Sequence, residues 1–133
     1  MAVRYLLDTN TASYVIKGNF PRVRQRLSQV AMGEVGISVV TVAELRFGAK
    51  RLPEAARVRL AVEEFLAPIA VLDWDSSAAM KYAQLRASLE ASGTPMGKLD
   101  MMIAAQALAI EAVLVTHDRV FRRLKGLRTE DWM

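Results

Sequence analysis

The stretch "RYLLDTNTASYVIKG" (residues 4–18) decides the fold. Its apolar run, Tyr5 to Leu7, ends abruptly at Asp8; small polar residues follow, and an apolar-periodic segment then ends at Gly18. This pattern predicts a short buried strand followed at once by a helix. A carboxylate at the end of a buried strand is costly unless it is bonded or compensated. Asp8 is therefore either a helix cap or part of a functional site.

Strand-like and helix-like segments alternate along the rest of the chain. This alternation predicts a parallel sheet with helices on both faces, joined by right-handed crossovers, whose sites form at the carboxyl ends of the strands. No linker or repeat interrupts it, so we expect a single domain over residues 1–133. The predicted strands are 3–7, 35–40, 69–73, 112–116 and 127–129, and the predicted helices are 9–16, 21–31, 41–51, 54–66, 76–91, 99–110 and 118–124.

The amino-acid composition limits the range of possible functions. The chain has 133 residues, 53% of them hydrophobic, with 18 Lys+Arg against 14 Asp+Glu and a net charge of +4. A basic surplus of this size favours a polyanionic partner only weakly. The absence of cysteine excludes disulfides, thiol catalysis and cysteine-bound zinc, and it fits a reducing compartment. We expect a cytoplasmic protein.

The single histidine, His117, excludes a ribonuclease that uses two histidines as acid and base, and no Gly-x-Ser-x-Gly motif supports a serine triad. Hydrolytic chemistry here must therefore rest on carboxylates and a metal. The N-terminus lacks the apolar run of a signal peptide. The longest apolar stretch, "MMIAAQALAIEAVLVT" (101–116), is interrupted by Gln106 and Glu111, so we expect no membrane association.

Four carboxylates fall near the predicted carboxyl edge of the sheet. Asp8 and Asp118 follow strands, Glu44 lies in the first turn after the second strand, and Asp100 lies in the first turn of a later helix. Each also has a purely structural interpretation: the first two as N-caps, Thr41 to Glu44 as a capping box, and Asp100 at the positive end of its helix. Taken together, they predict a hard-oxygen site for Mg²⁺ or Mn²⁺.

An acidic metal site suits a phosphodiester substrate. Divalent cations reverse the local field, lower the pKa of a bound water and stabilise the leaving oxygen. The basic surplus would hold the rest of the polyanion away from the acidic centre. The candidate basic residues are Arg22, Arg24, Arg26, Arg46, Lys50, Arg51, Lys98, Arg119, Arg122 and Arg123.

Four motifs carry a family resemblance. They are "LLDTN" (6–10), "TVAELRFGA" (41–49), "GKLDMMIAAQAL" (97–108) and "LVTHDRVFRRLKGLRTEDW" (114–132). In this order and spacing the chain resembles the PIN-domain ribonucleases of the VapC toxin type. The resemblance implies a three-layer α/β/α fold with a five-stranded, mainly parallel sheet. It also implies Mg²⁺- or Mn²⁺-dependent cleavage of structured RNA (transfer or ribosomal RNA), which inhibits translation, together with a VapB-type antitoxin at the acidic site and a homodimer.

Carried over by position, the resemblance makes the four carboxylates the catalytic site. Asp8, Asp100 and Asp118 would lie nearest the metal, and Glu44 would orient the attacking water or hold a second metal. We expect RNA contacts from Arg46, Lys98 and Arg119.

Other residues around these motifs either support the site or depart from the family pattern. Asn10 and Thr116 match the usual polar supporters, which would steer the carboxylates by hydrogen bonding. Gln106 stands where many relatives carry histidine, and we expect little effect because it lies further down the helix. Lys98 would contact either a phosphate or solvent. His117 is interpreted as an ordinary surface residue.

Two alternative functions stay open. One is a catalytically inactive copy of the same fold that binds RNA or a protein partner. The retention of four mutually repelling carboxylates argues against this alternative. The other is a Mg²⁺-dependent receiver or phosphatase-like domain, for which "VLDWDSS" (71–77) offers a strand-end aspartate. The phosphatase pattern wants Asp-x-Asp after the first strand, but residue 10 is asparagine. Asp73 and Asp75 are better interpreted as a strand end and a helix cap.

Overall fold

The computed structural model describes residues 2–52 and 55–133, which form five strands and six α-helices with two short 3₁₀ helices. The strands are β1 (Tyr5–Leu7), β2 (Val35–Ser38), β3 (Ala70–Leu72), β4 (Val113–Val115) and β5 (Thr129–Glu130). The helices are α1 (Thr9–Lys17), α2 (Pro21–Gln29), α3 (Val39–Lys50), α4 (Ala55–Leu66), α5 (Ser76–Ala91) and α6 (Lys98–Ala109), and the 3₁₀ helices are η1 (Met32–Glu34) and η2 (Arg119–Arg123).

The five strands form one parallel sheet in the order β3-β2-β1-β4-β5. Leu7 at the end of β1 is level with Ile37 of β2 and Val115 of β4. The chain builds outward from β1 through β2 and β3, then crosses to β4 on the other side. The strand order therefore reverses at the β1–β4 pair, which is where open α/β sheets place their sites.

Alternating side chains of each strand divide the core into two layers. Tyr5 and Leu7 pack with α1 to α4 on one face, whereas Leu6 and Leu114 pack with α5, α6 and η2 on the other. This period of two is what a strand buried on both faces requires. The predicted three-layer α/β/α fold with a five-stranded sheet is confirmed.

Helix α1 begins at Thr9, as predicted, and ends at Lys17, one residue later than predicted, with Gly18 stopping it as expected. Asp8 is its N-cap, and Gly18 follows its last residue with φ of +76° in the left-handed region. The Gly18 N–H reaches back to the carbonyls of Tyr14 and Val15, so the helix stops there.

The start of α3 differs from the prediction. β2 ends at Ser38 rather than residue 40, and α3 begins at Val39 rather than Thr41, because the Ser38 side chain accepts a hydrogen bond from the Val40 N–H. Ser38 is thus the N-cap, and the predicted capping box from Thr41 to Glu44 is wrong. Thr41 is buried inside the first turn instead.

Smaller differences fall at the ends of other elements. The predicted helix 118–124 is the 3₁₀ helix η2 with Asp118 as its N-cap, and β5 begins at Thr129 rather than Leu127. The predicted start of α4 at Glu54 lies outside the described residues. Among the described helices, none has both the length and the apolar character needed to cross a bilayer.

Candidate active site

Asp8 lies at the switch point of the sheet, where its side chain is 4% exposed. Its Oδ1 accepts a hydrogen bond of 2.8 Å from the backbone N–H of Thr11. The hydroxyl of Thr11 in turn donates to the carbonyl of Val115 on β4, at 3.2 Å. The N-cap interpretation of Asp8 is therefore right, and the cap also ties α1 to the neighbouring strand.

Thr116, directly after β4, forms hydrogen bonds with the carboxylate of Asp8 and with the backbone of Asp118. Its buried hydroxyl donates to Oδ2 of Asp8 at 2.6 Å and accepts the backbone N–H of Asp118 at 3.0 Å. The Asp118 carboxylate caps η2 by accepting the N–H of Val120 at 3.0 Å. The predicted support of the acidic edge by Thr116 is thus a direct bridge between the ends of β1 and β4.

Asp100 joins this edge from the opposite face of the sheet. It lies in the first turn of α6, is half-buried, and its helix begins at Lys98 with Gly97 as N-cap. Burial raises the pKa of Asp100, and the negative charges of Asp118 and Asp8 raise it further. Asp100 therefore lies within electrostatic range of two of the other predicted carboxylates.

Glu44 lies in the second turn of α3, not in the first as predicted, because the helix begins two residues earlier. It is half-buried. Thr41, one turn before it, shares a hydrogen bond of 3.1 Å with the hydroxyl of Thr9, which fixes α3 against the start of α1. Asp118 and Asp8, and not Glu44, are the charges that raise the pKa of Asp100.

The predicted polar supporter Asn10 is exposed, and within the described part of the chain its side chain makes no hydrogen bond to Asp8. Thr11 makes that bond instead, through its backbone. The sequence held a usable signal, since Thr11 is three residues after the N-cap, the position whose N–H a capping side chain accepts. The fully buried Thr11 hydroxyl, by contrast, depends on the position of β4.

The three basic residues predicted to contact RNA are all exposed. Arg46 forms an ion pair of 3.0 Å with Glu63 on α4. Lys98 opens α6 two residues before Asp100, and Arg119 opens η2. Lys98 and Arg119 therefore lie beside the acidic edge.

Gln106 is buried, 2% exposed, in the middle of α6. Its amide nitrogen donates to the carbonyls of Leu72 and Asp73 at 3.3 and 3.1 Å, which ties α6 to the end of β3. Among the described residues its amide oxygen has no hydrogen-bond partner. Gln106 thus positions the helix that carries Asp100.

His117 is exposed, as predicted, but its ring is not free. Its Nδ1 lies 2.7 Å from the Asp131 carboxylate. Burial tends to raise the pKa of Asp131, but the N–H of Met133, the His117 ring and the charge of Arg122 outweigh it and leave that pKa lowered. The pair fastens the loop after β4 to the C-terminal segment.

The donor set fits a hard divalent cation in type. In the part of the chain that the structure describes, no three Asp, Glu or His side chains are grouped closely enough to hold a metal ion by themselves. Mg²⁺ commonly binds through one or two carboxylates and keeps several of its waters. Asp8, Asp100 and Asp118 supply such oxygens. Burial is the main cause of the raised pKa of Asp100, and the negative charges of Asp118 and Asp8, which a cation would neutralise, raise it further.

A parallel α/β sheet with aspartates near its switch point defines a small α/β protein with an acidic candidate site. The PIN domain family model matches residues 5–127, which is most of the sequence. The chain belongs to the PIN-domain family.

Several relatives and solved structures are similar to this chain over nearly its full length. The chain is 40% identical over 131 residues to the tRNA(fMet)-specific endonuclease VapC of Shigella flexneri, covering 98% of each. It matches the DNA-bound VapBC structure from Salmonella typhimurium with a TM-score of 0.94 and 38% identity, covering 98% of this chain and 99% of that one. For VapBC2 of Rickettsia felis, bound to a promoter DNA fragment, the TM-score is 0.93 at 29% identity, with coverage of 98% and 100%.

Proposed function

We propose that this protein is a Mg²⁺- or Mn²⁺-dependent endoribonuclease toxin that cleaves structured RNA and is neutralised by a VapB-type antitoxin. The observation that carries the proposal is the bridge from Thr116 to both Asp8 and Asp118, with Asp100 electrostatically coupled to the same two carboxylates. The name of the Shigella flexneri relative supports transfer RNA as the substrate class.

The roles of the carboxylates follow from their surroundings. Asp8 and Asp118 are oriented by hydrogen bonds, while Asp100 stands in the first turn of α6, where the helix dipole favours negative charge. Together with waters of the metal's own shell, these three would hold the metal, which would supply charge stabilisation at the phosphate and a water of lowered pKa. Glu44, half-buried on α3, would orient the attacking water.

The side chain of Asp8 is held in a fixed orientation, which favours metal binding. Both of its oxygens accept a hydrogen bond from a buried group, and each retains a further lone pair for a cation. A ligand held in this way loses little conformational freedom when it binds metal, which raises affinity. Lys98 and Arg119, exposed beside the acidic edge, would hold the phosphates next to the cleaved bond.

Partners complete the proposal. The Salmonella and Rickettsia structures are of VapBC, which supports a VapB-type antitoxin for this chain as well. A homodimer is the expected assembly, and the exposed apolar side chains of Phe47 on α3 and Leu60 on α4, 57% and 62% exposed, are candidates for buried contacts. Sedimentation at micromolar concentration tests the dimer, and a monomer alone would contradict it.

The first experiment incubates purified protein with total cellular RNA, with Mg²⁺ or with a chelator, and maps the new 5′ ends. The key variant is Asp8→Asn, because asparagine still caps a helix while it removes the charge. The matched control is Asp75→Asn. Asp75 caps α5 in the same way, accepting the Ala78 N–H at 3.0 Å.

Discrete ends that require both metal and Asp8 but not Asp75 would establish the nuclease. If no ends appear, a Mn²⁺ titration separates the alternatives. A catalytically inactive binding module should bind Mn²⁺ equally with and without Asp8, whereas the proposed enzyme should lose affinity in Asp8→Asn. Cleavage that survives this substitution would contradict the assignment of the site.

A further inference from the structure

A second concave surface lies on the α5–α6 side of the sheet, away from the acidic edge. It is a groove of about 780 Å³ between the second half of α5, the end of α6 and the segment 123–128. Its apolar floor includes Leu89 and Ala107, which belong to the core of that layer. Ala112, which precedes β4, also lines it, so the groove opens at the amino edge of the sheet.

The rim of this basic groove carries positive charge. Lys81, Arg123, Lys125 and Arg128 line it, and Glu111 is the one acidic residue among the lining residues. Within the described residues, none of the four cations pairs with a carboxylate. Arginines elsewhere do form such pairs, namely Arg4, Arg26, Arg46 and Arg86. The hydroxyl of Ser88, which can donate to a phosphate oxygen, lines the groove beside the cations. The Ser92 hydroxyl donates to the Leu89 carbonyl and shares a hydrogen bond with that of Thr94.

The cations on the 123–128 segment are held in place by the backbone. The segment turns between Leu124 and Leu127, where the Leu127 N–H donates to the Leu124 carbonyl at 3.4 Å and Gly126 has φ of +79°. A positive φ at the third position of a turn suits glycine. Arg128 donates from its guanidinium to the carbonyl of Glu111 at 2.9 Å, which fixes its direction along the rim.

Two elements, η2 and β4, run between the acidic edge and the basic groove. η2 begins next to its cap, Asp118, and ends at Arg123, which already lines the groove. Along β4, four residue steps separate Ala112 in the groove from Thr116 at the site, about 13 Å at ~3.3 Å per residue. That distance is well below the roughly 34 Å of one double-helical turn. One structured nucleic acid can therefore reach both places.

We propose that the basic groove holds a second segment of the phosphate backbone of the RNA that is cleaved at the acidic edge. This inference rests on the proposed ribonuclease function and specifies how the substrate is selected. A site built this way favours folded RNA over a short single strand, because only a folded RNA presents backbone both at the scissile bond and at the groove.

The test compares two substrates: a structured transcript that contains the mapped cleavage site, and a short oligonucleotide with only the cleaved bond and its neighbours. The double variant Lys81→Gln/Lys125→Gln should raise KM for the transcript about tenfold and leave kcat unchanged. Cleavage of the oligonucleotide should not change. The control Lys17→Gln/Arg59→Gln removes the same charge from α1 and α4 in the other helical layer and should leave both KM values unchanged.

The Glu111→Gln substitution changes the charge of the groove in the opposite direction. Removing the acidic group from the rim should lower KM for the transcript, about twofold, with no effect on the oligonucleotide. Equal KM values for the groove and control double variants would overturn the inference and leave the nuclease intact. Equal losses on both substrates would also overturn it. If the wild-type protein cleaves neither substrate, the proposed function fails. Filter binding of the same transcript to the same variants then tests, independently of cleavage, whether the groove binds RNA.

Discussion

Thr116 donates a hydrogen bond of 2.6 Å to the carboxylate of Asp8, although the two residues are 108 positions apart in the sequence. The bond spans the strand pair at which the sheet order reverses. The same hydroxyl accepts the N–H of Asp118, so one threonine sets the positions of two acidic residues. The Thr116 hydroxyl and the Asp8 carboxylate are both buried, which makes the bond between them hard for water to replace.

Thr116→Val should damage both stability and activity. Valine has nearly the same shape but leaves one Asp8 oxygen and the Asp118 N–H without their partner, which should lower the free energy of unfolding by about 1–3 kcal/mol. RNA cleavage should fall roughly 10- to 100-fold, the usual loss when support of a ligand is removed. Urea unfolding and cleavage rates at equal folded fraction measure the two effects. Thr116→Ser keeps the hydroxyl and should retain most of both, and a serine variant as damaged as valine would contradict this role.

Asp100→Asn should stabilise the metal-free protein while it abolishes cleavage. Burial and the charges of Asp118 and Asp8 raise the pKa of Asp100, so folding favours its neutral form. Its contribution to stability is complete below the ordinary pKa of 3.8 and is lost as the pH rises through the raised value. Asparagine cannot ionise, so the variant's advantage should appear only as the pH rises.

Thermal unfolding in chelator from pH 3 to 8 measures this difference. The Tm of Asp100→Asn should match the wild type at the acidic end and exceed it near neutrality. Added Mg²⁺ should raise the Tm of the wild type more than that of the variant. A variant less stable than the wild type at neutral pH in chelator would show that Asp100 is held by attraction rather than strained by repulsion.

Much of this architecture was readable because short apolar runs and small polar residues mark strand ends locally. For that reason Asp8 falls directly after β1 and Asp118 three residues after the end of β4, and both are N-caps as well. Capping and membership of the acidic cluster thus occur in the same residues, and neither interpretation excludes the other.

What the sequence could not reveal depends on contacts between distant segments. Ser38 caps α3 because it leaves β2 with its hydroxyl near the first free N–H, and a T-x-x-E match three residues later looked equally good without that knowledge. The Thr11 hydroxyl binds a β4 carbonyl only because β4 is next to β1. Gln106 appeared to be a helix residue of little consequence, but α6 packs it against the end of β3.

Gln106→Glu should be more destabilising than Gln106→Leu at neutral pH. Glutamate places a carboxylate where the amide nitrogen now donates to two carbonyls, so acceptors would face acceptors in a buried site, at a cost of about 2–4 kcal/mol. Leucine also loses both bonds, but it removes the amide oxygen that lacks a partner, and about 1 kcal/mol should be lost. Chemical denaturation from pH 4 to 8 distinguishes them. Acid should restore the stability of the glutamate variant alone, since a protonated carboxyl group can donate a hydrogen bond to a carbonyl. Losses of stability that do not depend on pH in both variants would contradict the donor role of Gln106.

Glu111→Gly should stabilise the fold. Glu111 follows Ile110, the C-cap of α6, and has φ of +55°, a conformation that is strained for a residue with a Cβ. The bond from the Ala112 N–H to the Ala107 carbonyl, 3.0 Å, closes this helix end around it and keeps the strained backbone in place. Glycine removes the strain, and the expected gain is about 0.5–1 kcal/mol after its larger entropy loss on folding. Urea unfolding measures it, with Glu111→Ala as the control that removes the same side-chain charge but keeps the Cβ. The glycine variant should be more stable than the alanine variant; the reverse order would show that residue 111 does not hold this backbone conformation in solution.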